Sequence, residues 1–124
     1  MRKTKIAALV DPDPNKIPSN DSVDLFLKNA DYIFVGGTPE PHWEDIVEEV
    51  TQRCVDRYQK RKAELNSTAK VYIFPGSPRQ AVPSADGLMY LYVLNAENPL
   101  FSWGWQIESI DDVLKNYSEE RILD

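Results

Sequence analysis

The chain of 124 residues carries 14 Lys and Arg against 20 Asp and Glu, a net charge of -6, with 42% apolar and 27% charged residues. That is the composition of an ordinary globular domain, which excludes disorder and fibre, and its acidic balance repels a phosphate backbone, which excludes a nucleic-acid partner. The longest apolar run, Leu88 to Leu94, is seven residues against the roughly 20 of a membrane-spanning helix, so no integral membrane segment is expected.

The basic opening Met1-Arg2-Lys3-Thr4-Lys5 is followed by an apolar stretch that stops at Asp11-Pro12. That is too short for a signal-peptide core, and a cytoplasmic address is expected. One cysteine, Cys54, makes neither a disulfide nor a cysteine-rich metal site by itself.

Ile6-Ala7-Ala8-Leu9-Val10 predicts strand one, ended by Asp11-Pro12-Asp13-Pro14, where two prolines forbid helix. Capping residues in Ser19-Asn20-Asp21-Ser22 precede Val23, Phe26, Leu27 and Ala30 at helical spacing, which predicts a short first helix. Tyr32-Ile33-Phe34-Val35 reads as strand two, apolar at every position rather than every second one, and runs into Gly36-Gly37-Thr38. Trp43, Ile46, Val47, Val50, Cys54, Tyr58 and Leu65 form one helical stripe, with Glu44, Asp45, Glu48 and Glu49 early and Lys60, Arg61 and Lys62 late, as a helix dipole prefers. Val71-Tyr72-Ile73-Phe74 predicts strand three, stopped by Pro75-Gly76-Ser77-Pro78, and Leu88 to Leu94 predicts strand four, ending at Asn95. Between these strands only a short or irregular helix fits. Ile107, Ile110, Val113 and Leu114 predict a last helix, starting as early as Pro99. One domain is expected over 1–117, with 118–124 as a tail.

Strands apolar on both faces that alternate with helices indicate an α/β fold, a parallel sheet built as four βα units. Ligands of such sheets sit at the carboxyl ends of the strands, here Asp11, Gly36-Gly37-Thr38, Gly76-Ser77 and Asn95.

At these strand ends the sequence resembles the geranylgeranylglyceryl phosphate synthase family, including its bacterial heptaprenylglyceryl phosphate synthase branch, the PcrB proteins. The matching stretches are Ala8-Leu9-Val10-Asp11-Pro12-Asp13, Asp31-Tyr32-Ile33-Phe34-Val35-Gly36-Gly37-Thr38, Ile73-Phe74-Pro75-Gly76-Ser77, Ala85-Asp86-Gly87 and Leu94-Asn95-Ala96-Glu97-Asn98-Pro99. Each is short, and their order along the chain carries the resemblance, which covers about residues 5 to 117 and the N-terminal half of the family's fold.

Family members are (βα)8 TIM barrels that transfer a prenyl group from its diphosphate to sn-glycerol 1-phosphate with Mg2+. The resemblance implies that Asp11 is the metal-binding aspartate and that Thr38, after the paired glycines, is a second magnesium contact. Asp13 joins them as a candidate ligand, because carboxylates two residues apart suit Mg2+. The lysine that contacts glycerol phosphate in some members, two positions before the aspartate, is Leu9 here, as in one branch of the family. The part of the fold that grips the acceptor phosphate has no counterpart in this sequence.

A complete barrel of this kind needs about 200 residues or more. The resemblance therefore implies a (βα)4 half-barrel, whose open apolar face invites association. Completion by a homodimer is expected, since twofold pairing closes on itself. The resulting expectation is Mg2+-dependent binding of a phosphorylated or diphosphate small molecule, with full transferase activity in doubt and no catalytic residue assigned. Alternatives are an active prenyltransferase rebuilt as a homodimer, a non-catalytic structural remnant, or a phosphate-ester or nucleotide hydrolase.

Each candidate has a plainer reading. Asp11 and Asp13 suit turns for conformational reasons. Gly36, Gly37 and Thr38 suit either phosphate or a tight βα turn. For Gly76 and Ser77 the flanking prolines favour the turn, and Asn95 suits loop backbone. His42, beside Trp43, reads as a packed or exposed loop residue. Phe101, Trp103 and Trp105 suit a lipid groove or, better, a dimer seam.

Overall fold

The computed structural model describes residues 4–89 and 122–123. Within them the order is β1 (Ala7–Val10), α1 (Asn20–Asn29), β2 (Tyr32–Val35), α2 (Val47–Leu65), β3 (Lys70–Ile73), β4 (Gly87–Met89) and β5 (Ile122–Leu123). The strands lie in chain order in one sheet, and every pairing is parallel. β1 to β4 are the four strands expected from the sequence, and Ile122–Leu123 add a two-residue strand beside β4. Strand four is described only as far as Met89; Tyr90–Leu94, Asn95, the aromatic cluster Phe101, Trp103 and Trp105, and the last helix lie outside the described residues. The expected short helix between β3 and β4 is a 3-10 turn, Pro78–Gln80.

Register places alternate residues on one face. Val10, Ile33, Val35, Val71, Ile73 and Leu88 are buried there with Val23 and Leu27 of α1 and Val55 and Tyr58 of α2. The Ser19 hydroxyl caps α1 by accepting from the Ser22 amide, and α2 ends at Asn66, whose φ of 53° is left-handed. Arg61 of α2 grips Asp24 of α1 through two hydrogen bonds of 2.7 and 2.8 Å, fixing the helix pair. The opposite face carries Leu9, 73% exposed, and a row of stacked rings, with Tyr32, Tyr72 and Phe74 all within 6.4 Å of Phe34 or one another by centroid. Strands that are apolar throughout are thus covered on one face only among the described residues.

Two carboxylates brace this frame. The Arg61 guanidinium holds the Asp24 carboxyl below its ordinary 3.8. Burial pushes Asp86 up, but the Val71 amide and the Lys62 ammonium outweigh it, and the net direction is again down. A carboxyl with a depressed folded pKa contributes stability that is present above its unfolded value and lost as pH falls through the folded one. The thermal midpoint, followed by circular dichroism, is therefore expected to be level above about pH 5 and to fall below about pH 4. Asp24→Asn should lower the plateau and flatten part of that fall.

Candidate functional site at the strand ends

The ends of β2 and β3 approach more closely than side chains allow. A Cβ on Gly36 would stand 1.6 Å from the Phe74 carbonyl oxygen, and one on Gly76 would stand 2.5 Å from the Gly37 oxygen. Both glycines are needed because backbone meets backbone there. Gln80, fully buried, closes the junction. Its Oε1 accepts from the amides of Gly76 at 2.6 Å and Ser77 at 3.1 Å, and its Nε2 donates to the Gly37 carbonyl at 3.0 Å.

β1 brings its carboxylate to the same place. A Cβ on Gly37 would meet the Asp11 carboxylate at 3.3 Å. The Asp-Pro-Asp-Pro segment folds as turns: Asp11 Oδ1 accepts from the Asp13 amide at 3.0 Å, and Asp13 Oδ1 accepts from the Asn15 amide at 2.8 Å. Lys16, at the end of the turn Pro14–Lys16, sets its ammonium 3.1 Å from Asp11 Oδ2, and Asp11 in turn raises the pKa of that ammonium. The same nitrogen lies 3.8 Å from Asp13 Oδ2 and 3.8 Å from Glu40 Oε1.

Asp13 is 1% exposed, with His42 Nε2 at 2.8 Å from its Oδ1. Burial pushes its pKa up, and the hydrogen bonds from His42 and Asn15 with the charges of His42 and Lys16 outweigh it, so the net direction is down. Asp13, Glu40 and His42 present ligand atoms within 4.8 Å of one another. Beside Asp11 and Asp13 lies a cleft of about 100 Å³ walled by Pro12, Pro14, Ile17, Cys54 and Tyr58. Burial pushes the Cys54 thiol up to about 12, so Cys54 serves as an inert wall rather than a nucleophile.

The structure thus brings Asp11, Asp13, Gly36, Gly37, Gly76 and Ser77 to one rim. Thr38 follows Gly37 there and is exposed. The phosphate role expected of Gly76 and Ser77 meets a rival, since both amides are already taken by Gln80 and the Ser77 hydroxyl caps the turn by accepting from the Arg79 amide. His42, read from sequence as a loop residue without a role, is bonded to a buried carboxylate. Gln80 and Lys16 were not singled out, although Ser77-Pro78-Arg79-Gln80 is spelled as a capping box, which it forms.

No family model matches the chain. The geranylgeranylglyceryl phosphate synthase of Chitinophaga pinensis is 33% identical to it over 114 residues, which span 89% of this chain and 40% of that protein. The enzyme of Flavobacterium johnsoniae is 34% identical over 108 residues, 84% of this chain and 39% of the relative. Over these residues the chain is similar to the geranylgeranylglyceryl phosphate synthases. It spans about two fifths of the relatives it matches. The crystal structure of (S)-3-O-geranylgeranylglyceryl phosphate synthase from Thermoplasma acidophilum, in complex with substrate sn-glycerol-1-phosphate, superposes with a TM-score of 0.67 at 22% identity, over 90% of this chain and 42% of that one. The wild-type synthase from Thermoplasma volcanium gives 0.64 at 25% identity, again over 42% of its length. These likenesses show the fold: four parallel strands with helices, corresponding to about half of a TIM barrel.

Proposed function

We propose that the rim formed by Asp11, Gly37 and Thr38 binds the phosphate or diphosphate of a small molecule of the prenylglyceryl phosphate synthase type together with Mg2+. The observation that carries this reading is the contact of Gly37 with the Asp11 carboxylate, 3.3 Å from a Cβ placed there. It joins the two family-like motifs, from β1 and β2, at one point. The donors are hard oxygens, as Mg2+ prefers, and Asp11 is partly exposed with its Oδ2 turned to a cation already. Asp11 and Thr38 would hold the ion, with Asp13 Oδ2 as a further ligand and the Asp13 amide supporting Asp11 Oδ1. When bound, Mg2+ supplies neutralisation of the diphosphate charge. Gly37 leaves room for the ligand's oxygens, while Gly76, Ser77 and Gln80 hold the Gly37 loop in place.

The aromatic face of the sheet supports a homodimer that shares it, since a second copy offers the same rings in twofold relation. Such a dimer is the route by which prenyl transfer to sn-glycerol 1-phosphate could be rebuilt. Among the described residues no helix is long and apolar enough to cross a membrane.

Thermal-shift measurements with inorganic pyrophosphate, glycerol 1-phosphate and a prenyl diphosphate, each with and without Mg2+, test the reading. A ligand at 100 times its Kd adds about 2.7 kcal/mol to stability, a shift of several degrees. It should require Mg2+ and disappear in Asp11→Ala and Thr38→Ala. Light scattering on the same sample should give twice the chain mass, and a monomer would remove the dimer.

A further inference from the structure

We propose that Lys16 is a built-in competitor for the divalent cation at this rim, seating its ammonium between the carboxylates the cation needs and so setting how tightly the cation binds. This rests on the reading of Asp11 as a cation ligand. Lys16 Nζ lies among Asp11 Oδ2 at 3.1 Å, Asp13 Oδ2 at 3.8 Å and Glu40 Oε1 at 3.8 Å, carboxylates drawn from the β1–α1 and β2–α2 loops. Three acids facing one point repel one another unless a positive charge stands there.

The oxygens it faces are those a metal would use. Asp11 Oδ1 is engaged by the Asp13 amide, and Asp13 Oδ1 by Asn15 and His42, which leaves the Oδ2 atom of each turned to Lys16. Mg2+ binds oxygens at about 2.0–2.1 Å in a near-octahedral shell. Ammonium and metal therefore compete for the same oxygens, and a seated ammonium repels a dication brought beside it. The exchange needs little rearrangement: the backbone of Lys16 is anchored by its amide donating to the Asp13 carbonyl at 2.9 Å, while its side chain is 53% exposed. Only the flexible stem has to swing out. One ammonium faces three carboxylates at this point, with His42 beside Asp13. A divalent cation gains the attraction of these carboxylates and loses it in part to the competitor.

Calorimetric titration of the full chain with Mn2+ and with Mg2+, no other ligand present, tests this. Lys16→Met keeps the stem and removes the charge, and it should bind Mn2+ on the order of ten-fold more tightly than the unaltered protein. Lys16→Arg should stay close to the unaltered protein, and adding Asp11→Asn to Lys16→Met should abolish the gain. The ion-free Met variant should also melt below the unaltered protein and recover with Mn2+, whereas a lysine with only a structural role would leave the midpoint low at every Mn2+ concentration. Equal or weaker Mn2+ binding by Lys16→Met, with Asp11→Asn still abolishing it, overturns the competitor and leaves Asp11 as a ligand. Binding by none of these proteins overturns the competitor and the cation reading together, while the pyrophosphate shift then judges phosphate binding by itself.

Discussion

Gly36→Ala is expected to destabilise the protein by about 3 kcal/mol, the upper range for a forced steric insertion in a packed interior. The added Cβ would stand 1.6 Å from the Phe74 oxygen, 2.6 Å from its carbonyl carbon and 3.3 Å from its Cα. All three are backbone atoms, so no rotamer change relieves the overlap. The strand ends must part, which strains the Phe74 amide bond to the Val35 carbonyl, 2.8 Å, and the Gly36 amide bond to the Val10 carbonyl, 3.0 Å. Gly37→Ala is the contrasting case. Its nearest neighbours are the Asp11 carboxylate atoms at 3.3 and 3.4 Å, the end of a side chain that can turn, so Asp11 and not the sheet is displaced. Urea denaturation should show the larger loss for Gly36→Ala, while Gly37→Ala, strained by a φ of 158° that L side chains rarely adopt, should lose a smaller part of its stability together with the Mg2+-dependent pyrophosphate shift. A Gly36→Ala loss below about 1 kcal/mol would show that the strand ends yield easily, against the close junction described above.

Strand stops and helix stripes were legible because they depend on neighbours in sequence. Asp-Pro-Asp-Pro, Gly36-Gly37 and Pro75-Gly76 end strands wherever they occur, and Val47, Val50 and Tyr58 fall on one face of α2 as their spacing requires. Ile46 shared that spacing yet is 42% exposed. Glu44–Ile46 form a 3-10 turn rather than the first turn of the helix, and the tighter winding carries Ile46 off the stripe. The apolar character of both strand faces was legible too, but which face the helices cover follows from the register. The polar part of the site was the least visible. Asp13 meets His42 across 29 positions and Gln80 meets Gly37 across 43, and such pairs exist only once the parallel register has set the loops side by side. The sequence placed Asp11, Gly36-Gly37 and Gly76-Ser77 at the ends of neighbouring strands and left open which of their polar atoms are spent on one another.

That distinction decides the second large effect. Gln80→Leu, similar in size, removes every polar atom from a side chain that is fully buried. The amides of Gly76 and Ser77 and the carbonyl of Gly37 would lose the partners they have at 2.6, 3.1 and 3.0 Å. Leaving buried polar groups unpaired costs about 1–3 kcal/mol each, moderated where water can enter, so a total loss of about 3 kcal/mol is expected in urea denaturation. Gln80→Glu separates the two halves of the brace. Ionised, it still accepts from both amides but cannot donate to Gly37 and sets a buried carboxylate oxygen against that carbonyl, so it should lose stability too while freeing the Gly37–Thr38 loop. If that loop must be held to receive phosphate, Gln80→Glu should give a folded protein whose pyrophosphate shift is reduced at unchanged Asp11 and Thr38. An undiminished shift in Gln80→Glu would mean that the loop keeps its ligand-ready shape without the brace, and that Gln80 serves the fold alone.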